Sequence, residues 1–438
     1  MLAYYLRMGL KSLGRNPVLS ALMIAAIALG IGVSMTTLTL YYTMSGNPIL
    51  HKDDVLHAVQ LDSWDPDEPF RDDVPDQAPW ELTYNDAIAV MQSDIPTRHS
   101  PMYKGGFTVD PDNDEVAPFL VVARFTEADF FSMFDVPFLY GGPWDAIADE
   151  NADRQVILSQ ETNEKTFGGE NSVGRQIKLD DKYFTVVGVI QEWNPTPKFY
   201  DVNNGAFDDS EDLFVPFRVG PELEIYSWGN TNCWKDEAVN NFQDFLNTEC
   251  VWIQYWAELQ SDGEVEAFQT FLNGYVAEQK KLGRFGRPMN NRLTNVGDWL
   301  DVRRVVQDDN TVLVGLAFMF LVVCLLNTIG LLLAKFIGKA NIVSLRRALG
   351  ASRSSIITQH LVEVSLIGFV GGILGLGLAY LGLAGVRTLV DGIDRLVQMD
   401  LVMVLSAIGI AIVSSLLAGL YPTWRICQVT PATHLKTQ

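Results

Sequence analysis

Residues 343–356 read VSLRRALGASRSSI, a basic run punctuated by alanine and glycine that lies between two long apolar segments. SLRRALGA suits a helix up to Gly350, a residue that can end it in the left-handed conformation. Ser352 then stands where an N-cap for the next helix is needed. The stretch therefore reads as a short helix, a corner and a second helix, carried on a bridge between two hydrophobic spans. Arg346, Arg347 and Arg353 are more cations than orientation in a membrane requires, which points to a docking corner. The alternative is that they serve orientation alone.

Working outward, Thr311–Leu333 precedes the bridge and Leu361–Val386 follows it, with Leu401–Tyr421 beyond and the charge-free Pro17–Leu50 near the start. At about 1.5 Å per helical residue, each is long enough for a hydrocarbon core of about 30 Å. Four transmembrane helices are expected, at 17–45, 311–336, 359–388 and 401–421. Its apolar run is too long for a signal-peptide core, and no A-x-A site follows that run before the polar chain begins at His51, so the first reads as an uncleaved anchor. Ahead of it, Leu2, Leu6, Leu10 and Leu13 fall near one helical face and Arg7, Lys11 and Arg15 near another. Residues 1–16 are thus expected to form an amphipathic helix along the inner membrane surface.

Lysine and arginine set the orientation. Residues 1–16, the bridge 335–360 and the tail after Tyr421 carry basic residues and no acidic ones. All three are expected in the cytoplasm, which puts 46–310 and the short loop 389–400 on the far side. The expected fold class is an α-helical membrane protein with four transmembrane helices plus a large α+β extracytoplasmic domain between helices 1 and 2. The formal charge of −21 is unevenly spread: residues 43–310 hold 49 acidic and 20 basic residues, the remainder 4 and 12. So acidic an outer domain argues against a nucleic-acid partner.

Within that domain, DVLHAVQL and CVWIQYWAEL read as strands, each followed by a helix, YNDAIAVMQ and DGEVEAFQTFLNGYVAEQKKL. RQVILSQ, GRQIKLD and KYFTVVGVI read as short strands, the last two a hairpin through LDDK. The expected division is 46–125 with 246–310, interrupted by a β-rich insertion at 126–245. Cys233 and Cys250 lie in this domain, and Cys324 and Cys427 in a span and the tail. A Cys233–Cys250 disulfide in an oxidising compartment would contribute about 3 kcal/mol; two free thiols are the alternative.

Catalytic and nucleotide signatures are missing from the sequence. It contains no G-x-x-x-x-G-K-[ST] and no G-x-S-x-G. The five histidines have no metal-ligand spacing, and DPDNDE from Asp110 lacks the glycine and terminal glutamate of a calcium loop. No catalytic residue, metal or cofactor on this chain is expected; an anchored outer enzyme would need a triad assembled from distant residues. Glu363 is the only acid within a span, a candidate intramembrane polar site that could equally pair with the basic bridge two turns away. Gly368, Gly371, Gly372 and Gly375 form overlapping small-xxx-small pairs, which let membrane helices approach closely.

The bridge, its continuation to Gly382 and the tail GLYPTWRICQVTPATHLK together resemble the MacB/FtsX-like (type VII) permeases of ATP-binding cassette (ABC) systems. In the outer domain FFSMFDVPFLYGG, RQVILSQETNEKTFGGENSVGRQIKLDDKYFTVVGVI and LFVPF are similar to the MacB-type periplasmic core domain. The likeness covers nearly the whole chain. It implies a porter-like part, 46–125 with 246–310, and an inserted subdomain, 126–245, in the periplasm of a bacterium, with the helices in the inner membrane. It further implies a dimer with a second permease chain, identical or paralogous, over separate ATPase subunits that hold the ATP and magnesium. Residues 337–358 would be the cytoplasmic coupling segment, with Arg346, Arg347, Ala348, Leu349, Gly350, Ala351 and Arg353 contacting the ATPase. ATP-driven closure would be relayed to the outer domains by mechanotransmission, for efflux with a periplasmic adaptor and an outer-membrane duct. MacB itself carries its ATPase on the same chain, and the sixteen residues before the first span here leave no room for one. The outer domain exceeds the minimal FtsX type, which favours export; an FtsX-like or lipoprotein-extraction machine is the alternative.

Overall fold

The computed structural model describes residues 2–111, 117–306, 308–389 and 401–428. The expected loop at 389–400 beyond Leu389, the tail beyond Gln428 and most of DPDNDE lie outside the described residues. The chain forms two compact units, Met1–Ser45 with Val306–Gln438, and Gly46–Val305.

In the first unit a helix at Leu2–Arg15 is followed, after Asn16, by the first span, Pro17–Ser45. Proline suits that first position, where the missing N–H costs no intrahelical bond. The second span is Asp308–Ile337, the bridge helix Ala340–Ala348, the third span Arg353–Leu389 and the fourth Leu401–Cys427. All four spans are long and apolar enough to cross a membrane. In the first span Met23, Ile27, Ile31 and Met35, four residues apart, turn inward against Leu321, Phe336, Val364 and Ile367. Leu22, Leu29, Val33, Leu313, Met319 and Leu326 remain exposed, as side chains meant for lipid would. Two span boundaries differ from expectation by six residues, the others by three or fewer. The third helix begins at Arg353, inside the segment 337–358, so the corner shrinks to 349–352. The fourth continues past Tyr421 to Cys427 with Pro422 in its interior, since a membrane helix tolerates the lost backbone bond where neighbours shield it.

The second unit is built on one sheet of ten strands: β1 Leu56–Gln60, β2 Arg98–Asp110, β3 Phe119–Thr126, β4 Phe138–Gly141, β5 Gln155–Leu158, β6 Gln176–Leu179, β7 Lys182–Ile190, β8 Leu213–Pro216, β9 Gln254–Glu258 and β10 Arg292–Asn295. The order is β10-β1-β9-β2-β3-β8-β5-β7-β4, with β6 paired to β2 and β7. Successive side chains alternate between two cores, as the pleat requires. Tyr255 and Ala257 enter one with Tyr103, Phe125 and Trp252, while Trp256 enters the other with Phe130, Phe134 and Phe214.

The expected break near residue 125 falls within β3, whose partners are β2 and β8. The exchange of partners occurs in β2 instead. Arg98–Met102 pairs with β9, and Tyr103–Val109 pairs with β3. One long strand thus belongs to both halves, which alternation along its sequence cannot announce. The insertion 126–245 also carries more helix than expected, at Asp129–Met133, Ala146–Asn151, Gln160–Phe167, Val219–Glu222 and Phe242–Leu246. These helices are too short to show a 3.6-residue period. Gln160–Phe167 relies on its ends, with the Ser159 hydroxyl accepting from the Thr162 N–H and Gly168 left-handed at φ +69°. Cys233 and Cys250 are joined by a disulfide beside the bridge between Asn232 and Val251.

Candidate functional site

The bridge helix ends in a tight backbone lock. The Gly350 N–H donates to the Arg347 carbonyl at 3.1 Å and the Ala351 N–H to the Arg346 carbonyl at 3.0 Å. This is the Schellman pattern, and Gly350 holds the left-handed conformation it needs, φ +98°. The Ser355 N–H then donates to the Ser352 hydroxyl at 3.2 Å, capping the third span. A helix stop and a helix start are therefore set four residues apart, which fixes the direction of both.

The seven residues expected at this corner divide by environment. Arg346 turns inward, its Nη1 donating to Gln359 Oε1 at 2.5 Å, and Arg347 Nη1 donates to the Cys427 carbonyl at 3.1 Å. Ala351 packs against the interior of the helix bundle. Ala348, Leu349, Gly350 and Arg353 are exposed, Leu349 by 80%. Two arginines hold the corner to its own unit, and a small apolar and cationic tip is left outward.

Directly behind the corner lies Glu363, 1% exposed. Its carboxylate meets Lys335 Nζ at 2.9 Å and Lys339 Nζ at 3.2 Å, and it accepts from the Ser12 hydroxyl at 2.5 Å. Lys335 Nζ also donates to Ser20 Oγ at 3.1 Å. One acid thus ties together the N-terminal helix, the end of the second span, the start of the bridge and the third span. The expected pairing of Glu363 with the bridge takes this form. Lys335, a lone cation near the end of an apolar run, was a visible signal for it; Ser12 gave none.

The four glycines of the third span face two neighbours. A Cβ on Gly371 or Gly375 would meet Ile27 or Ile31 of the first span at 2.8 Å. One on Gly372 would meet Ala411 of the fourth span at 2.9 Å, and one on Gly368 would run into Ser415. Glycine is needed here because both flanking helices lie at backbone contact distance. Among the described residues no group of three or more metal-ligating side chains comes together.

Four apolar spans, a large α+β domain between the first and second, and a locked basic corner between the second and third define a multi-pass membrane protein of the permease class. The family described as MacB-like periplasmic core domain matches residues 20–269 and that described as FtsX-like permease C-terminal matches 314–431, and the chain belongs to this MacB/FtsX-like group of ABC-transporter permeases. It is 25% identical over 363 residues to the macrolide export ATP-binding/permease protein MacB of Wolinella succinogenes, covering 82% of this chain and 49% of that protein. It is 23% identical over 314 residues to the pyoverdine export ATP-binding/permease protein PvdT of Pseudomonas syringae, covering 71% and 42%. The chain spans about half the length of the curated relatives it matches. The crystal structure of the periplasmic region of MacB from Actinobacillus actinomycetemcomitans aligns with 59% of this chain and 96% of that one, at 10% identity and a TM-score of 0.38.

Proposed function

We propose that this chain is the permease subunit of an export-type ABC transporter in the bacterial inner membrane, with the bridge on the cytoplasmic side. Energy comes from a separate ATPase subunit, which carries the ATP and magnesium, and the exposed tip formed by Leu349, Gly350 and Arg353 docks into it. Movement of the tip is relayed to the periplasmic domain as mechanotransmission, in a dimer with a second permease chain. A periplasmic adaptor and an outer-membrane duct complete the export path.

The observation that carries the reading is the corner itself. Its tip is outward, while its base is locked by Gly350, by Arg346 and by the Glu363 cluster behind it. A rigid lever with a free tip can transmit force from a partner to two spans at once. The test is affinity purification of the intact chain in mild detergent, with co-purifying chains identified by mass spectrometry. Recovery of a soluble P-loop ATPase together with an adaptor supports the export reading. A lipoprotein or cell-wall hydrolase in the adaptor's place would redirect it, and a stable chain that never retains an ATPase would remove it.

A further inference from the structure

A cavity of about 810 Å³ opens between the N-terminal helix and the bridge helix. From the N-terminal helix, Met8, Lys11, Ser12 and Arg15 line it, at the i, i+3, i+4 and i+7 positions of one helical stripe. From the opposite side come Lys339, Ile342 and Arg346. Four cations therefore converge on one groove.

Their charge is poorly compensated. Glu363 is shared by Lys335 and Lys339, one carboxylate between two ammonium groups. Lys11, Arg15 and Arg346 form no ion pair among the described residues. Arg346 is nevertheless held in place by Gln359, so its guanidinium is presented and not free to swing away. Such a set of point charges and planar forks suits the oxygens of a phosphate.

The groove is also apolar at Met8 and Ile342, and the two helices that make it expose Tyr4, Leu10, Ile342 and Leu345. Apolar and aromatic side chains beside a row of cations mark a helix lying at headgroup depth, where its oily face meets acyl chains. A ligand matching both halves carries a phosphate and a hydrocarbon body. We propose that this groove is a binding site for the headgroup of an anionic phospholipid at the bridge-side membrane surface. Bound there, the lipid bridges the N-terminal helix to the bridge helix and supplies the anion that their cations lack. The inference is independent of any ATPase at the corner.

The full-length chain, extracted in mild detergent and titrated with phosphatidylglycerol under native mass spectrometry, tests this. Wild-type protein and Arg7→Gln, altered on the same helix outside the groove, should retain the lipid equally. Lys11→Gln and Arg15→Gln should each weaken it about fivefold, the equivalent of the ~1 kcal/mol that a basic side chain contributes at an anionic lipid surface. The double variant should lose about 25-fold on the same footing. Phosphatidylcholine should bind weakly throughout, and excess inorganic phosphate should not displace phosphatidylglycerol. Equal retention by the double variant, equal loss in Arg7→Gln, or equal affinity for phosphatidylcholine would overturn the proposal. Full displacement by inorganic phosphate would overturn the lipid as occupant and assign the groove to a free anion.

Discussion

Lys335 and Glu363 face each other at 2.9 Å with side chains 0% and 1% exposed, pinning the end of the second span to the start of the third. Removing two charges from water is costly, and their attraction repays this only where further hydrogen bonds complete the site. Ser12, Ser20 and Lys339 provide that completion. The pair's clearest consequence is asymmetric: losing one partner strands the other.

Glu363→Gln should therefore destabilise the membrane unit by about 3–5 kcal/mol, the range for breaking a buried pair by removing one member. Lys335→Met combined with Glu363→Leu should cost less than the sum of the single changes, because the fully buried Lys335 ammonium is removed together with its carboxylate, leaving only the less buried Lys339 without it. Unfolding midpoints of the purified chain in detergent check this. Additive losses would mean that the two groups act independently.

The glycines of the third span make a sharper packing test. Gly375 lies against Ile31 and the Ala28 carbonyl, whereas Gly377, two residues on, has nothing within 4 Å. Gly375→Leu should lower stability by about 1–3 kcal/mol, as overpacking does, while Gly377→Leu should be nearly neutral. Equal unfolding midpoints for the two variants would show that the close approach of the first and third spans is not tight.

In the outer unit a buried carboxylate sets a pH dependence. Burial pushes Glu81 up to about 7, against the Asn230 and Gln254 amides that donate to it at 2.9 and 2.6 Å. Asp149 is likewise raised by burial to about 7. A carboxyl whose folded value lies above its unfolded one holds its proton longer in the folded state. Its stabilising contribution is present below the unfolded value and is lost as pH rises through the folded one. Outer-domain stability should thus decline between about pH 4.5 and about pH 7, by ~3 kcal/mol for Glu81 at one pKa unit per 1.36 kcal/mol. Glu81→Gln should flatten that decline in amide hydrogen exchange of the full chain, and an unchanged slope would remove Glu81 as its source. Glu211 works in the opposite direction. Burial alone would raise it, but Arg124 and Lys198 hold it far below the usual carboxylate range, so its contribution is present above its unfolded value and lost only in strong acid.

The features readable in the sequence were those with a long or local signature. Thirty apolar residues announce a span, and Asp180–Asp181 between KL and KY announces the β6–β7 hairpin, where Asp180 takes φ +42°. Gly350 and Ser352 announced the corner because a left-handed stop and a hydroxyl cap are single-residue devices. What escaped was non-local. Nothing in RHSPMYKGGFTVD reports that its first half pairs with β9 and its second with β3. Nor does the sequence show that Ser12 meets Glu363, 351 positions away. The arginines of the corner were legible as a cluster, but which of them turn inward depends on Gln359 and Cys427, fixed only by the packing of the later spans.

That division decides how the docking role is to be tested. Reversing charge at Arg346 or Arg347 breaks bonds inside the membrane unit as well as any contact outside it, so loss of coupling there is ambiguous. Arg353 is exposed, and Leu349 is 80% exposed beside it. Leu349→Asp with Arg353→Glu removes one apolar and one cationic contact from the tip while leaving the Gly350 lock, the Ser352 cap and the Glu363 cluster in place. The variant should insert and unfold like the parent chain. It should also lose the co-purifying ATPase by at least tenfold, the equivalent of ~1.4 kcal/mol, which is modest for a protruding anchor at an interface centre. Full retention of the ATPase by a normally inserted variant would transfer docking away from the tip and leave the corner as an orienting device.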